Sequence, residues 1–264
     1  MARSTQTLGA IDVVEGALIG VVQGEYMKPI LIPILLLVLF KEGIVSCSTL
    51  PGFYQQGVRS DQIVRNDRSS PLLDAAAKGD IEKVKALVMA GASLTDRDKN
   101  DRTVLMLAVA GNHREVARLL LAAGANVNEV AKDTWTPLMF ALCCAETDLF
   151  KDILAAGAYL NVRYGRGRTP LMVAAAGGDN EKIEVLLNAG VIPYDVDEDG
   201  LTALMYAAEA NGNVETIHLL LAAGIDINGR NLKGKTALSY ARRNYVVSNR
   251  PSMMKLIKKY GGVD

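Results

Sequence analysis

Residues 169–175 read Thr169-Pro170-Leu171-Met172-Val173-Ala174-Ala175, and this order of hydroxyl, turn residue, leucine and alanine returns along most of the chain. Leucine recurs at Leu72, Leu105, Leu138, Leu171, Leu204 and Leu238, in steps of 33, 33, 33, 33 and 34 residues. Alanine keeps the same ruler at Ala75, Ala108, Ala141, Ala174, Ala207 and Ala241, and glycine keeps it at Gly91, Gly124, Gly157, Gly190 and Gly224. Three residue types in one register at a period of this size mark a stack of small structural repeats.

Each unit makes sense as a turn followed by two helices. Ser70-Pro71, Thr136-Pro137 and Thr169-Pro170 place a hydroxyl at the N-cap and proline at the first helical position, where its missing N–H costs nothing. Thr103, Thr202 and Thr236 keep the cap without the proline. The first helix closes at Gly79, Asn112, Gly178 or Gly212, residues that tolerate left-handed backbone, whereas Ala145 stands at that place in the third repeat. A second helix starts at Asp80, His113, Glu146, Asp179 or Asn213, with a carboxylate two positions later to suit the helix dipole. Leucine pairs such as Leu119-Leu120 and Leu186-Leu187 supply its buried face. Residues 69–98 form the first repeat, and residues 231–264 a degenerate last one broken between Asn244 and Pro251.

On Thr169 to Ala175 and on Gly124-Ala125-Asn126-Val127-Asn128 the chain resembles the ankyrin repeat, over about three quarters of its length. The resemblance implies an all-α ankyrin-repeat solenoid of about six helix-turn-helix repeats, lying after an N-terminal hydrophobic signal or anchor segment. Methionine replaces the family's histidine at Met106, Met139, Met172 and Met205, so the usual side-chain hydrogen bond is expected to give way to apolar packing.

N-terminal to the repeats, Pro29 to Phe40 is apolar throughout. As a helix it would reach only about 18 Å, against a bilayer core of about 30 Å. Met27 and Lys28 precede it, giving the charged start and short apolar core of a secretory signal peptide, so Met27 is the expected start and residues 1–26 are expected not to be translated. Ile44-Val45-Ser46-Cys47 resembles the lipobox of bacterial lipoproteins, which implies that Cys47 becomes the first mature residue and carries lipid. Residues 27–46 then form a signal peptide; an uncleaved single-pass anchor, ordinary cleavage and no export stay open beside this. Residues 47–68 read as a flexible tether that could stretch to roughly 70 Å. The location this implies is the bacterial cell envelope, facing the periplasm or exterior.

The 264 residues carry 29 Lys and Arg against 29 Asp and Glu, which gives no field favouring nucleic acid. Three cysteines, two of them the neighbours Cys143 and Cys144, make no disulfide framework, and thiols are expected at both. His113 and His218, the only histidines, fall at repeat-aligned positions and read as structural; with no third ligand suitably spaced, zinc is not expected. Gly165-Arg166-Gly167-Arg168 lacks the strand and lysine of a phosphate loop, and Asp195 to Gly200 lacks the spacing of a calcium loop, so both read as turns. No catalytic residue, cofactor, metal or small-molecule substrate is implied, and the chain is expected not to be an enzyme.

What remains is recognition of another protein. In the ankyrin family the turn tips and exposed first-helix faces form a concave groove. The row Asp74, Leu107, Phe140, Val173, Tyr206 and Tyr240 is expected to look into it, and the turn row Arg102, Trp135, Arg168, Leu201 and Lys235 to rim it. Tryptophan, tyrosine and arginine are the usual interface anchors, so Arg102, Trp135, Phe140, Arg168 and Tyr206 are the expected partner contacts, in a membrane-tethered scaffold or adaptor. An inhibitor or immunity factor that masks an enzyme or toxin is the alternative.

Overall fold

The Ser70 hydroxyl accepts the Leu73 N–H at 3.4 Å, and Pro71 takes the first helical position, so the first helix starts where cap and proline said it would. The computed structural model describes residues 70–132, 134–210, 213–244 and 250–263. The expected signal segment, the tether and Cys47 lie outside the described residues. The helices are α1 (Pro71–Lys78), α2 (Ile81–Met89), α3 (Val104–Ala110), α4 (Arg114–Ala122), α5 (Pro137–Cys144), α6 (Thr147–Ala155), α7 (Pro170–Gly177), α8 (Asn180–Asn188), α9 (Ala203–Ala210), α10 (Val214–Ala222), α11 (Ala237–Ala241) and α12 (Arg250–Lys259). An isolated antiparallel β bridge joins Arg97 and Thr103.

The described chain divides into two compact units, residues 70–165 and 166–263. In the first, α1, α3 and α5 pack side by side, with α2, α4 and α6 behind them. Leu72, Leu105 and Leu138 are all buried there, as are Ala75, Ala108 and Ala141, whose small side chains let neighbouring helices close up. In the second, α7, α9 and α11 repeat the arrangement with α8, α10 and α12 behind, over Leu171, Leu204, Leu238, Ala174, Ala207 and Ala241. Each buried leucine contributes about 1.5–3 kcal/mol relative to exposure.

Within each unit, side chains stitch neighbouring repeats together through backbone groups. Asn128 donates to Gly157 O at 3.0 Å and accepts from Tyr159 N at 2.8 Å; Asn228 does the same to Gly261 O at 3.1 Å and from Val263 N at 2.8 Å. His113 Nε2 sits 3.1 Å from Ala77 O, and since a carbonyl only accepts, this nitrogen carries the proton. Its ring fills the space above Gly79, where φ is +70° and an added Cβ would fall 2.5 Å from the imidazole. Both histidines are structural, because His218 Nδ1 lies 3.0 Å from the Tyr260 hydroxyl and joins α10 to α12.

One local expectation is corrected, at the methionines, and two turns depart from the pattern of their neighbours. Met106 and Met172 are buried, yet each sulfur takes a long 3.4 Å hydrogen bond from the capping threonine N–H, so there the thioether keeps a weak form of the bond that histidine would make. His113 and Glu146 stand at N-caps but make no side-chain cap bond, the imidazole being engaged by the previous repeat. Ala145 takes extended backbone instead of a left-handed turn, and the Asn112 side chain of the repeat before accepts the Glu146 N–H at 3.0 Å. Asn112 itself is left-handed at φ +55°, as expected.

Candidate partner-binding surface

Every turn has to satisfy its own backbone before it can offer anything to a partner, and the five expected contact residues divide on that requirement. Asp98 Oδ1 accepts the N–H groups of Asn100 and Arg102, both at 2.9 Å, while Oδ2 accepts Arg102 Nε at 2.7 Å. The Arg102 guanidinium is thereby drawn into its own turn and is only 4% exposed. As a surface contact, Arg102 is therefore a correction: its charge stabilises the turn.

One repeat later Ala131 occupies the place of Asp98, and aromatic packing replaces the carboxylate. The Trp135 ring centroid lies 5.0 Å from that of Phe140 and 6.0 Å from that of Tyr164, tilted in both cases, which is the arrangement that aromatic quadrupoles favour. Phe140 and Tyr164 are buried, whereas Trp135 is half-buried and closes the cluster towards solvent. Phe140 is thus a core residue, and Trp135 is the aromatic that reaches the surface from it. The rim around it is held by Lys132 Nζ donating to Lys99 O at 2.7 Å, and by Arg97, which pairs with Glu129 and donates to Val130 O at 2.9 Å.

In the second unit a third solution appears. Asp197 is buried; its Oδ1 accepts from Asp199 N at 2.9 Å and Leu201 N at 2.8 Å, and its Oδ2 accepts the Tyr206 hydroxyl at 2.7 Å. Asn231 repeats the scheme, accepting from Lys233 and Lys235 N–H and donating to the Tyr240 hydroxyl at 2.8 Å. Burial, then the bond to Asp197, push the Tyr206 phenol well above its ordinary range, and the nearby Arg168 charge works the other way. Tyr206 is 4% exposed, so it too is a correction; Arg168 is half-buried beside it. The turn from Asp195 to Gly200 spends its central carboxylate on its own backbone. Among the described residues no group of three or more His, Cys, Asp or Glu could hold a metal.

The groove row is accordingly deeper than expected: Leu107, Phe140 and Tyr206 are buried, and Asp74, Val173 and Tyr240 are half-buried. Sequence reasoning missed the large apolar side chains that the surface does carry, among them Tyr159 at 67% exposure, Tyr194 at 70% and Leu232 at 79%. The signal was there. Tyr159 replaces the polar Asn126 of the previous repeat, and Tyr194 stands where Asn128 and Asn228 make their bridges.

The model of the family described as ankyrin repeats (3 copies) matches residues 72–164, 143–231 and 195–264. The chain belongs to the ankyrin-repeat family. Its ankyrin repeats are similar to a chain in the structure of a predatory endopeptidase from Bdellovibrio bacteriovorus in complex with an immunity protein, at 28% identity, TM-score 0.64, covering 73% of this chain and 99% of that one. They are similar also to an ankyrin repeat domain from Acinetobacter baumannii, at 30% identity, TM-score 0.63, over 73% of this chain and 98% of the other. The ankyrin repeat domain of Bcl-3 matches at 26% identity, TM-score 0.62, over 75% and 89%. No curated protein matches this chain. Ankyrin repeats form a scaffold for protein–protein interaction, and that is the class of activity this one carries.

Proposed function

We propose that the protein is a tethered binding module of a bacterial envelope, whose ankyrin repeats hold a protein partner, with Trp135 as the anchor on the first unit and Arg168 on the second. The observation that carries the recognition surface is the aromatic cluster itself: Phe140 and Tyr164 fix the Trp135 ring, so its exposed part meets a partner already ordered, at little cost in side-chain entropy. The lipobox-like Ile44-Val45-Ser46-Cys47 and the apolar run before it support attachment by lipid on Cys47, with a single-pass anchor as the other form of attachment. Similarity to repeats from Bdellovibrio and Acinetobacter supports a bacterial setting.

A second reading, an inhibitor or immunity factor that masks an enzyme or toxin, is favoured by one specific observation. A chain to which these repeats match over almost its whole length comes from a complex of an immunity protein with an endopeptidase. Neither reading gives the chain a catalytic role.

Capture from the envelope fraction with the tagged chain, followed by mass spectrometry of what is retained, tests both. A partner retained by the wild type and released by Trp135→Ala supports the binding surface; recovery of a hydrolase whose activity the chain suppresses selects the second reading. Retention that is indifferent to both Trp135→Ala and Arg168→Ala refutes the assignment. The mass of the mature N-terminus reports lipid on Cys47 directly, and Cys47→Ser is expected to release the chain from the membrane fraction.

A further inference from the structure

In the second unit, α8, α10 and α12 lie side by side behind the first helices and run in the same direction. Thr216 Oγ1, near the start of α10, donates to Asn180 Oδ1 at the start of α8 at 2.7 Å. Asn228, beyond the end of α10, donates to Gly261 O beyond the end of α12 at 3.1 Å. Their stops Gly190, Gly224 and Gly261 share left-handed backbone, with φ of +85°, +86° and +85°. Positions counted from these stops therefore stand at one height across the three helices. Six residues before the stop, the row reads Glu184, His218, Lys255; two residues after it, Ile192, Asp226, Val263.

Glu184 and Lys255 are exposed, and so are Ile192 and Val263. The charge gradient extends beyond that row. Asp195 to Gly229 holds seven carboxylates and no Lys or Arg, whereas Arg230 to Asp264 holds nine Lys or Arg against the single carboxylate Asp264. On the outer helices themselves the exposed groups are Glu181 and Glu184 on α8, Glu215 on α10, and Lys255, Lys258 and Lys259 on α12. Negative charge at one edge, positive at the other and the partly exposed Leu219 and Leu221 between them make a face that is its own complement.

We propose that two copies of this chain associate through the outer face of α8, α10 and α12, about a two-fold axis parallel to α10. Such an axis preserves height and exchanges the edges. Glu184 of each copy then meets Lys255 of the other and Ile192 meets Val263, while α10 lies on α10 at the centre, where Glu215 and Asp226 face their own counterparts and subtract from the attraction at the two edges. An axis across the helices would instead set α8 on α8 and α12 on α12, with like charges opposed, so the sign pattern selects the orientation. Three helices of 9, 9 and 10 residues, each about 14 Å long and about 10 Å apart, cover roughly 400 Å². A stable interface buries about 800 Å² per partner, so even with Ile192, Tyr194 and Val263 at the rim the dimer is weak and depends on concentration. Exposed charge pairs are screened over about 8 Å at physiological salt, so added salt weakens it further.

Sedimentation velocity of the full chain in mild detergent tests this through a charge exchange. The wild type shifts from monomer towards dimer as concentration rises. Lys255→Glu with Lys258→Glu makes both edges acidic, and Glu181→Lys with Glu184→Lys makes both basic. Each double variant alone associates at least tenfold more weakly, and an equimolar mixture of the two regains the dimer because both edge contacts are then opposite in sign. All four side chains are exposed, and unchanged far-ultraviolet circular dichroism confirms that the variants fold. A wild type that stays monomeric at several hundred micromolar overturns the proposal, including the case in which the basic edge captures an acidic protein instead. Dimer that survives in both variants alone, or that fails to return on mixing, also overturns it.

Discussion

Two turns placed 66 residues apart, one in each unit, solve the same problem with opposite chemistry. Ala131 stands at the position that Asp98 and Asp197 hold in their repeats, so no carboxylate gathers the turn from there, and Trp135 packs over the buried Phe140 and Tyr164. Around Asp197 a carboxylate collects two backbone N–H groups and the Tyr206 hydroxyl. Phe140 and Tyr206 occupy the same place in their repeats and are both buried, so position in the repeat fixes depth while the side chain is free to supply either apolar area or a hydrogen bond. The difference matters for recognition. The aromatic solution leaves part of an indole in solvent, whereas the polar solution turns its functional groups inward.

Removing the anchor breaks the two turns unequally. Phe140→Ala empties the centre of the aromatic cluster and is expected to cost about 3–5 kcal/mol in chemical denaturation. Trp135→Ala, on the half-exposed side of the same cluster, is expected to weaken partner capture by at least about 2 kcal/mol, some thirtyfold in Kd, with a smaller loss of stability. Titration calorimetry against the captured partner, beside a denaturation curve, separates the two quantities; a loss of stability as large as the loss of affinity would return Trp135 to the core.

Tyr206→Phe keeps the ring and deletes the bond to Asp197, which is expected to cost about 1.5–3 kcal/mol, since the acceptor is charged and buried. The same residue gives the polar turn a pH signature that the aromatic turn lacks. Its folded phenol holds its proton beyond the ordinary value of about 10, chiefly because it is buried. Above that pH the unfolded chain releases the proton and the folded chain keeps it, so the contribution is complete below about pH 10 and declines as pH rises, by at most about 1.4 kcal/mol per pH unit for this group. Denaturation midpoints between pH 9 and 11 should fall less steeply in Tyr206→Phe than in the wild type. Tyr240, raised by burial and by Glu209, leaves a residual slope in the variant. Smallest of all, Met172→Leu removes only a long sulfur acceptor and is expected to cost less than about 1 kcal/mol.

The architecture was legible because it rests on short-range rules repeated in register: a hydroxyl cap, a leucine and an alanine at fixed offsets, a glycine stop. The ruler leucines are buried in both units, as that register required. The site was less legible, because exposure depends on what the neighbouring side chains do. Arg102 looked like a rim cation, although Asp98 four residues earlier was in place to claim it. Phe140 and Tyr206 looked like groove residues because the row was counted along one helix, without the indole and the carboxylate that cover them. Tyr159 and Tyr194 went unremarked although each breaks a polar position of the repeat, a departure that only comparison between repeats exposes.

His113 reaches back across a repeat boundary to Ala77 O, and its ring occupies space left by Gly79. The consequence is historical as much as mechanical. At this joint the first two repeats are keyed as lock and tooth, so a duplication or excision that separated them would leave a carbonyl unserved on one side and a vacant notch on the other. The Asn128 and Asn228 bonds themselves ask only for backbone on the far side. Yet Arg114 with Asp148 and Asp152 at the one joint, and His218 with Tyr260 at the other, are keyed side chain to side chain. A 33-residue cassette gained or lost at either would have to bring its matching residues with it.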